Sequence, residues 1–116
     1  MPTDSGRKVF QKLVRDNIPQ LIEKSGGTSQ HRILPKSLRR GALIDKLHEE
    51  VGELVRTETP EEFLEEAADV YEVLMALVYE NGFIDADLDL KTKQKRREKG
   101  GFDRFVWLEK VLEKRE

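Results

Sequence analysis

The pattern of apolar residues predicts two long helices in the middle of the chain. From Ser37 to Arg56, apolar residues recur at steps of three and four, the period of a helix buried on one side; they are Leu43, Ile44, Leu47, Val51 and Leu54. Thr59-Pro60-Glu61-Glu62 then supplies an N-cap, a first-turn proline and two acids at the positive end of the helix dipole. A second stripe follows and ends near Asn81-Gly82; it consists of Phe63, Ala67, Val70, Leu74 and Leu77. Because only about four residues separate the two helices, an antiparallel hairpin is expected.

The residues before this hairpin predict a short helix and a loop. Asp16-Asn17 supplies capping side chains, and Pro19 suits the first turn of a helix. This helix is expected to end at Ser25-Gly26-Gly27, where glycine can adopt the left-handed C-terminal conformation. A loop is expected over residues 26–36, and residues 8–14 have enough β-formers for a short strand.

The residues after the hairpin predict a third, basic helix. Asp89 is expected to cap this helix, which extends over residues 91–99 and stops at Gly100-Gly101. Residues 102–116 combine a strand-like alternation with a helix-like end, so both structures stay open. The sequence therefore predicts a single all-α domain over residues 1–116, with a short strand pair from the termini as an option.

The segment from residue 70 to residue 79 bears on the oligomeric state of the protein. Nine of the ten residues from 70 to 79 are apolar or aromatic, and only Glu72 interrupts them. A helix that is apolar nearly all round must be buried on nearly all sides. Two long helices and a few short pieces of one chain cannot surround it, so a homodimer or a larger homo-oligomer is expected to complete the bundle.

Charge is segregated along the chain although the net charge is only −2. Residues 1–44 carry a net charge of +6, residues 45–90 of −13 and residues 91–116 of +5. Either the basic ends fold back on the acidic middle, or the middle holds cations while the ends hold anions; the pattern alone does not decide. The strongly acidic middle argues against nucleic-acid binding, because it would repel a phosphate backbone.

Composition excludes several classes of site. The 116 residues include no cysteine, which excludes disulfides, thiolate metal sites and cysteine nucleophiles. No apolar run reaches the roughly 18 residues of a membrane span, and residues 1–10 have no signal-peptide core. A cytoplasmic protein without a membrane partner is therefore expected.

Carboxylates on the two long helices predict a metal site. On a helical wheel of about 100° per residue, Glu50 and Glu53 lie on the same flank of the first stripe as Glu66 and Asp69 do on the second. Antiparallel packing of the stripes brings all four side chains to one side of the seam. Such oxygen ligands suit Mg²⁺ or Mn²⁺ better than Zn²⁺. The alternative is a pair of ordinary solvated acidic flanks.

Three short motifs in order extend the pattern. Glu50-x-x-Glu53 with Glu66-x-x-Asp69 is preceded by the segment KLVRDNIP at residues 12–19, and followed by Lys99-Gly100-Gly101-Phe102 and Trp107-Leu108-Glu109. With these motifs the chain resembles the all-α nucleoside triphosphate pyrophosphohydrolases, the superfamily of MazG and phosphoribosyl-ATP pyrophosphohydrolase, and most closely its small members that open with KLVRDxIP. Asn17 and Lys99 depart from the lysine and arginine that are frequent there, which weakens the expected phosphate contacts.

The resemblance implies hydrolysis between the α and β phosphates of a nucleoside triphosphate, to the monophosphate and pyrophosphate. Mg²⁺, or Mn²⁺, held by the four carboxylates would activate a water, and Glu49 or Glu65 could accept its proton. The residues expected to act in catalysis are Lys46, Glu49 and Glu50. The residues expected to hold the phosphates, besides Lys46, are Arg15, Lys93, Lys95, Arg96 and Lys99.

The expected role is removal of unwanted nucleotides from the pool. Phosphoribosyl-ATP cleavage in histidine biosynthesis is the second choice of pathway, and a non-catalytic nucleotide-binding module is the main rival. No residue pattern in the sequence selects a particular base.

Overall fold

A computed structural model describes residues 11–114, and all regular structure within that range is α-helical. The helices are α1 (Ile18–Lys24), α2 (Lys36–Val55), α3 (Pro60–Glu80) and α4 (Asp85–Lys99). The predicted all-α class is therefore confirmed. Contacts divide the chain into two compact units, Met1–Phe83 and Ile84–Glu116. The hairpin lies in the first unit and α4 in the second. That residues 1–116 form a single domain stays a prediction.

Helices α2 and α3 form the predicted hairpin. They pack against each other, and residues 56–59 connect them, so they run antiparallel. The start of α3 has the expected cap, because the Thr59 hydroxyl accepts a hydrogen bond from the Glu62 N–H at 3.2 Å. The helix ends at Glu80 with Asn81 as its C-cap, and the following Gly82 adopts a φ of +87°, which favours glycine.

The core of the first unit lies between these two helices. Leu43 of α2 packs with Val73 and Leu77 of α3, and all three are buried. Partly buried apolar residues surround this cluster; they are Leu13, Ile44, Leu47 and Ala76. Because Leu13 belongs to the segment before α1, the core also fixes that segment against the hairpin.

The apolar part of α3 is only partly covered within one chain. Val73, Met75 and Leu77 are buried, whereas Tyr71 and Tyr79 are 59% and 53% exposed. One chain thus leaves an apolar side of α3 open, as expected from the sequence. Assembly into a homodimer or larger homo-oligomer stays a prediction.

The two flanking helices differ in how well the sequence predicted them. The first helix, α1, has the expected proline in its first turn, and Gly26 after it adopts a φ of +95°. The predicted start of α4 near Lys91 was wrong, because the helix begins at Asp85. The Asp87 carboxylate accepts a hydrogen bond from the Ile84 N–H at 2.9 Å, and this cap precedes the expected one at Asp89.

The terminal segments have no regular structure where the chain is described. This holds for residues 11–14 and for residues 105–114. The rest of the predicted strand pair lies at residues 1–10 and 115–116, outside the described residues, so that strand pair stays a prediction. None of the helices between residues 11 and 114 combines the length and apolarity needed to cross a membrane.

Candidate functional site

Three carboxylates meet at the seam of the hairpin. Glu50 of α2 lies beside Glu66 and Asp69 of α3, and one oxygen from each lies within 4.8 Å of the other two. Glu50 is only 9% exposed, and Glu66 and Asp69 are half-buried. The two helix faces predicted from the wheel therefore meet, and they bring together three of the four predicted metal ligands.

Of the three carboxylates, Glu66 is the one whose charge is least offset by neighbouring hydrogen-bond donors and cations. Its Oε2 atom is buried and has no hydrogen-bond donor among the described residues. Burial, followed by hydrogen bonding to and repulsion from Glu50, raises the pKa of Glu66 above its ordinary value; Asp69 and Glu53 contribute further repulsion. The site therefore favours a proton or a cation next to Glu66.

The spacing of the three oxygens fits one hard divalent cation. In octahedral coordination with bonds of about 2.1 Å, opposite ligand oxygens lie about 4.2 Å apart and neighbouring ones about 3.0 Å. The three carboxylate oxygens lie within 4.8 Å of one another, so their side chains would have to draw closer together to share one ion. The buried, unpartnered oxygen of Glu66 is an acceptor that such an ion would satisfy. The donor set is oxygen only, which favours Mg²⁺ or Mn²⁺.

The fourth predicted ligand, Glu53, lies apart from this group. Its side chain is 52% exposed, and its carboxylate lies 3.6 Å from Arg56 one turn further along α2. Glu53 and Glu66 nevertheless border one groove of about 230 Å³, which also includes Glu65. The groove lies beside the hairpin turn, so it continues the carboxylate site toward solvent.

Lysines neutralise the α2 side of the site. Lys46 Nζ lies 3.3 Å from Glu50 Oε1 and 3.5 Å from Glu49 Oε2. Lys12 Nζ lies 3.5 Å from the other oxygen of Glu49. The three residues predicted to act in catalysis, Lys46, Glu49 and Glu50, are thus in direct contact. Sequence reasoning missed Lys12, for which the only signal was the basic N-terminal region facing an acidic middle.

Arg15 contacts a predicted metal ligand. Its Nη2 atom donates a 2.7 Å hydrogen bond to Asp69 Oδ1, and the two side chains are 56% and 36% exposed. This hydrogen bond raises the pKa of Arg15 above its already high ordinary value. Together with Lys12, Arg15 shows that the basic N-terminal region folds back on the acidic middle, one of the two interpretations of the charge pattern.

The other predicted phosphate ligands lie in the second unit, on α4. Lys93 lies 2.9 Å from Asp89, and Arg96 lies 2.8 Å from Asp103. The Arg96 guanidinium packs so closely on Gly101 that a β-carbon there would collide with it. A cavity of about 250 Å³ lies at this end of α4; its lining is Thr92, Lys95, Arg96, Gly100, Gly101 and Phe102. Lys99 is exposed at the helix end. The acids that pair with Lys93 and Arg96 are thus close to them in the sequence.

Comparisons with family models, with curated proteins and with solved structures found no match to this chain.

Proposed function

We propose that this protein is a Mg²⁺-dependent nucleoside triphosphate pyrophosphohydrolase that cleaves between the α and β phosphates, with Mn²⁺ as an alternative ion. The observation that carries the proposal is the group of Glu50, Glu66 and Asp69, because one Glu66 oxygen is buried and residues 11–114 offer it no donor. Three carboxylates in contact repel one another, and a divalent cation relieves that repulsion at neutral pH. The resemblance to the all-α pyrophosphohydrolases implies a metal held by four carboxylates, and three of those four residues form this group.

The residues around the site have distinct roles in this proposal. Glu50, Glu66 and Asp69 would hold the Mg²⁺ ion, which would neutralise phosphate charge and make a water molecule more acidic. Glu49 is oriented by Lys12 and Lys46, and its carboxylate accepts the proton from the attacking water. Lys46 is 15% exposed, and its ammonium group balances the charge of Glu50 when the site is empty of phosphate.

On the described chain, the substrate class is inferred from side chains that could bind phosphate and from no other feature. Arg15 supplies a cation for triphosphate oxygens, and Lys93, Lys95, Arg96 and Lys99 form a basic group on α4 whose chemistry also suits phosphate. These groups recognise what all nucleotides share, so a broad role in clearing unwanted nucleotides from the cytoplasm is the proposed biology. The active form is a homodimer or larger homo-oligomer, which the open apolar side of α3 supports.

The experiment is a substrate panel with defined products. Canonical, oxidised and deaminated triphosphates and phosphoribosyl-ATP are incubated with Mg²⁺ or Mn²⁺, and phosphorus NMR distinguishes pyrophosphate from orthophosphate. Monophosphate and pyrophosphate from several triphosphates, lost in Glu66→Gln, support the proposal. Orthophosphate as the only product means γ-phosphate cleavage and contradicts it.

Two further outcomes identify the rival functions. Turnover of phosphoribosyl-ATP alone assigns the protein to histidine biosynthesis. Thermal stabilisation by nucleotide without any product identifies a non-catalytic nucleotide-binding module. The matched control is Glu61→Gln, which removes one exposed carboxylate of α3 outside both the groove and the three clustered carboxylates.

A further inference from the structure

The segment formed by residues 12–15 lies against the carboxylate site and is called the strap here. Leu13 packs against the core between α2 and α3. On either side of this anchor, Lys12 pairs with Glu49 of α2 and Arg15 pairs with Asp69 of α3. The strap thus holds one cation against each helix of the hairpin, next to the group that binds metal in the proposed function.

We propose that the strap supplies Arg15 as a counterion to the metal-free site, and that a divalent cation displaces the Arg15 side chain. In the metal-free protein, the Arg15 guanidinium neutralises Asp69; when the cation binds Asp69, the guanidinium leaves and becomes available to a triphosphate. This proposal rests on the proposed function, because it assigns regulation to the same site. It makes Arg15 a positioned phosphate ligand only after the metal has bound.

The contact geometry makes the two cations competitors. Arg15 Nη2 lies 2.7 Å from Asp69 Oδ1, a full hydrogen-bond contact with a carboxylate that the metal also needs. An arginine keeps its proton at all ordinary pH values, so it cannot leave the site by losing its charge. A guanidinium and a divalent cation at the same carboxylate repel each other, which favours movement of the arginine side chain away from Asp69.

The strap is built so that only the side chain of Arg15 has to move. Its side chain is 56% exposed, so its ion pair is weak and easily broken. Leu13 stays packed in the core and keeps the backbone in place. By contrast, the side chains of Lys46 and Glu50, taken without their backbone atoms, are only 15% and 12% exposed, so their pair is the costlier one to break. Displacement therefore occurs at Arg15 rather than at Lys46.

The experiment measures Mn²⁺ affinity without nucleotide, by the loss of the free-ion EPR signal. The full chain is compared with Arg15→Gln, with Arg15→Lys and with Arg40→Gln, a matched loss of one exposed arginine on α2. Glu66→Gln serves as the control that ties binding to the carboxylate group. We expect Arg15→Gln to bind Mn²⁺ about three- to tenfold more tightly, since a competing charge is removed. Arg15→Lys and Arg40→Gln are expected to stay near the wild-type value.

A second measurement uses the wild-type chain alone. The Nε–H resonance of Arg15 is followed in nitrogen-15 spectra during a Mg²⁺ titration, and a shift that saturates with the ion supports displacement. Mn²⁺ binding that is unchanged or weaker in Arg15→Gln, or an Arg15 resonance that does not move, overturns the strap proposal and leaves the metal site standing. Absence of Mn²⁺ binding in the wild type overturns the metal site and the strap proposal together.

Discussion

Lys46 Nζ lies 3.3 Å from Glu50 Oε1 on the same face of α2, and both side chains are largely buried. The pair joins a predicted phosphate ligand to a predicted metal ligand, so one residue of the site neutralises another before any ligand arrives. Removing one partner of a largely buried ion pair lowers the stability of the fold, because the remaining charge is left uncompensated. The pair therefore links the stability of the hairpin to the charge state of the site.

The first prediction concerns this pair. Lys46→Gln should lower the free energy of unfolding in EDTA by about 2 kcal/mol, below the range for fully buried pairs because both groups retain some exposure. Added Mg²⁺ should stabilise this variant more than the wild type, since the ion replaces the missing positive charge. Urea unfolding with and without Mg²⁺ measures both effects. Lys46→Arg is the control; a loss as large as that of Lys46→Gln would show that the shape of the lysine matters rather than its charge.

The second prediction ranks the carboxylates. Glu50→Gln, Glu66→Gln and Asp69→Asn should each lower kcat/KM for pyrophosphate release by about 10²-fold or more, because each removes a negative charge from the proposed metal site. Glu53→Gln should lose less than about tenfold, since its exposed carboxylate pairs with Arg56. Steady-state kinetics gives the ranking, and circular dichroism checks the folding of each variant. A Glu53→Gln loss equal to the others would mean that Glu53 joins the ligands when substrate binds.

The sequence predicted the hairpin and its register because these depend on local rules. The apolar period predicts which faces of the two helices meet, although Phe63 and Leu74 of the predicted α3 stripe are exposed and Val73 is buried instead. Thr59-Pro60 fixes where α3 begins. Once two faces and a short connection are known, the meeting of Glu50 with Glu66 follows from geometry. The meeting needs no information from distant parts of the chain.

The remaining features depend on information that periodicity does not contain. The ion pair of Arg15 with Asp69 joins residues 54 positions apart, so it depends on where the strap packs. The carboxylate of Glu53 is directed by its rotamer and by Arg56, which a helical wheel does not describe. The early start of α4 depends on Asp87, whose cap precedes the expected one. Each of these features is a choice between two locally allowed arrangements.

The third prediction concerns pH. The raised pKa of Glu66 means that the folded protein binds this proton more tightly than the unfolded chain, in which the group titrates near 4.5. The resulting stabilisation is fully present below that value and is lost as the pH rises through the raised pKa of the folded state. In EDTA, Glu66→Gln should therefore melt at a higher temperature than the wild type at about pH 8, with the difference narrowing toward about pH 5.

Calorimetry of the metal-free proteins across this pH range measures the effect. Glu65→Gln is the matched control, because it removes the same charge at an adjacent position that is exposed. If both variants change the melting temperature equally at every pH, general charge on α3 rather than crowding at Glu66 sets the stability.

The last prediction concerns assembly. The exposed apolar residues of α3 include Leu64 and Tyr71, which are 71% and 59% exposed. Burying such residues against a second copy is favourable by roughly 25 cal/mol per Å² of apolar surface, so the chain is expected to be at least dimeric at micromolar concentration. Tyr71→Lys should raise the dimer dissociation constant by about tenfold or more, because a charge would replace a large interface side chain.

The control is Ile33→Lys, which places the same charge at an 84% exposed residue outside the hairpin and should leave assembly unchanged. Light scattering and sedimentation velocity measure the mass, and a stable wild-type monomer at these concentrations would contradict the predicted bundle.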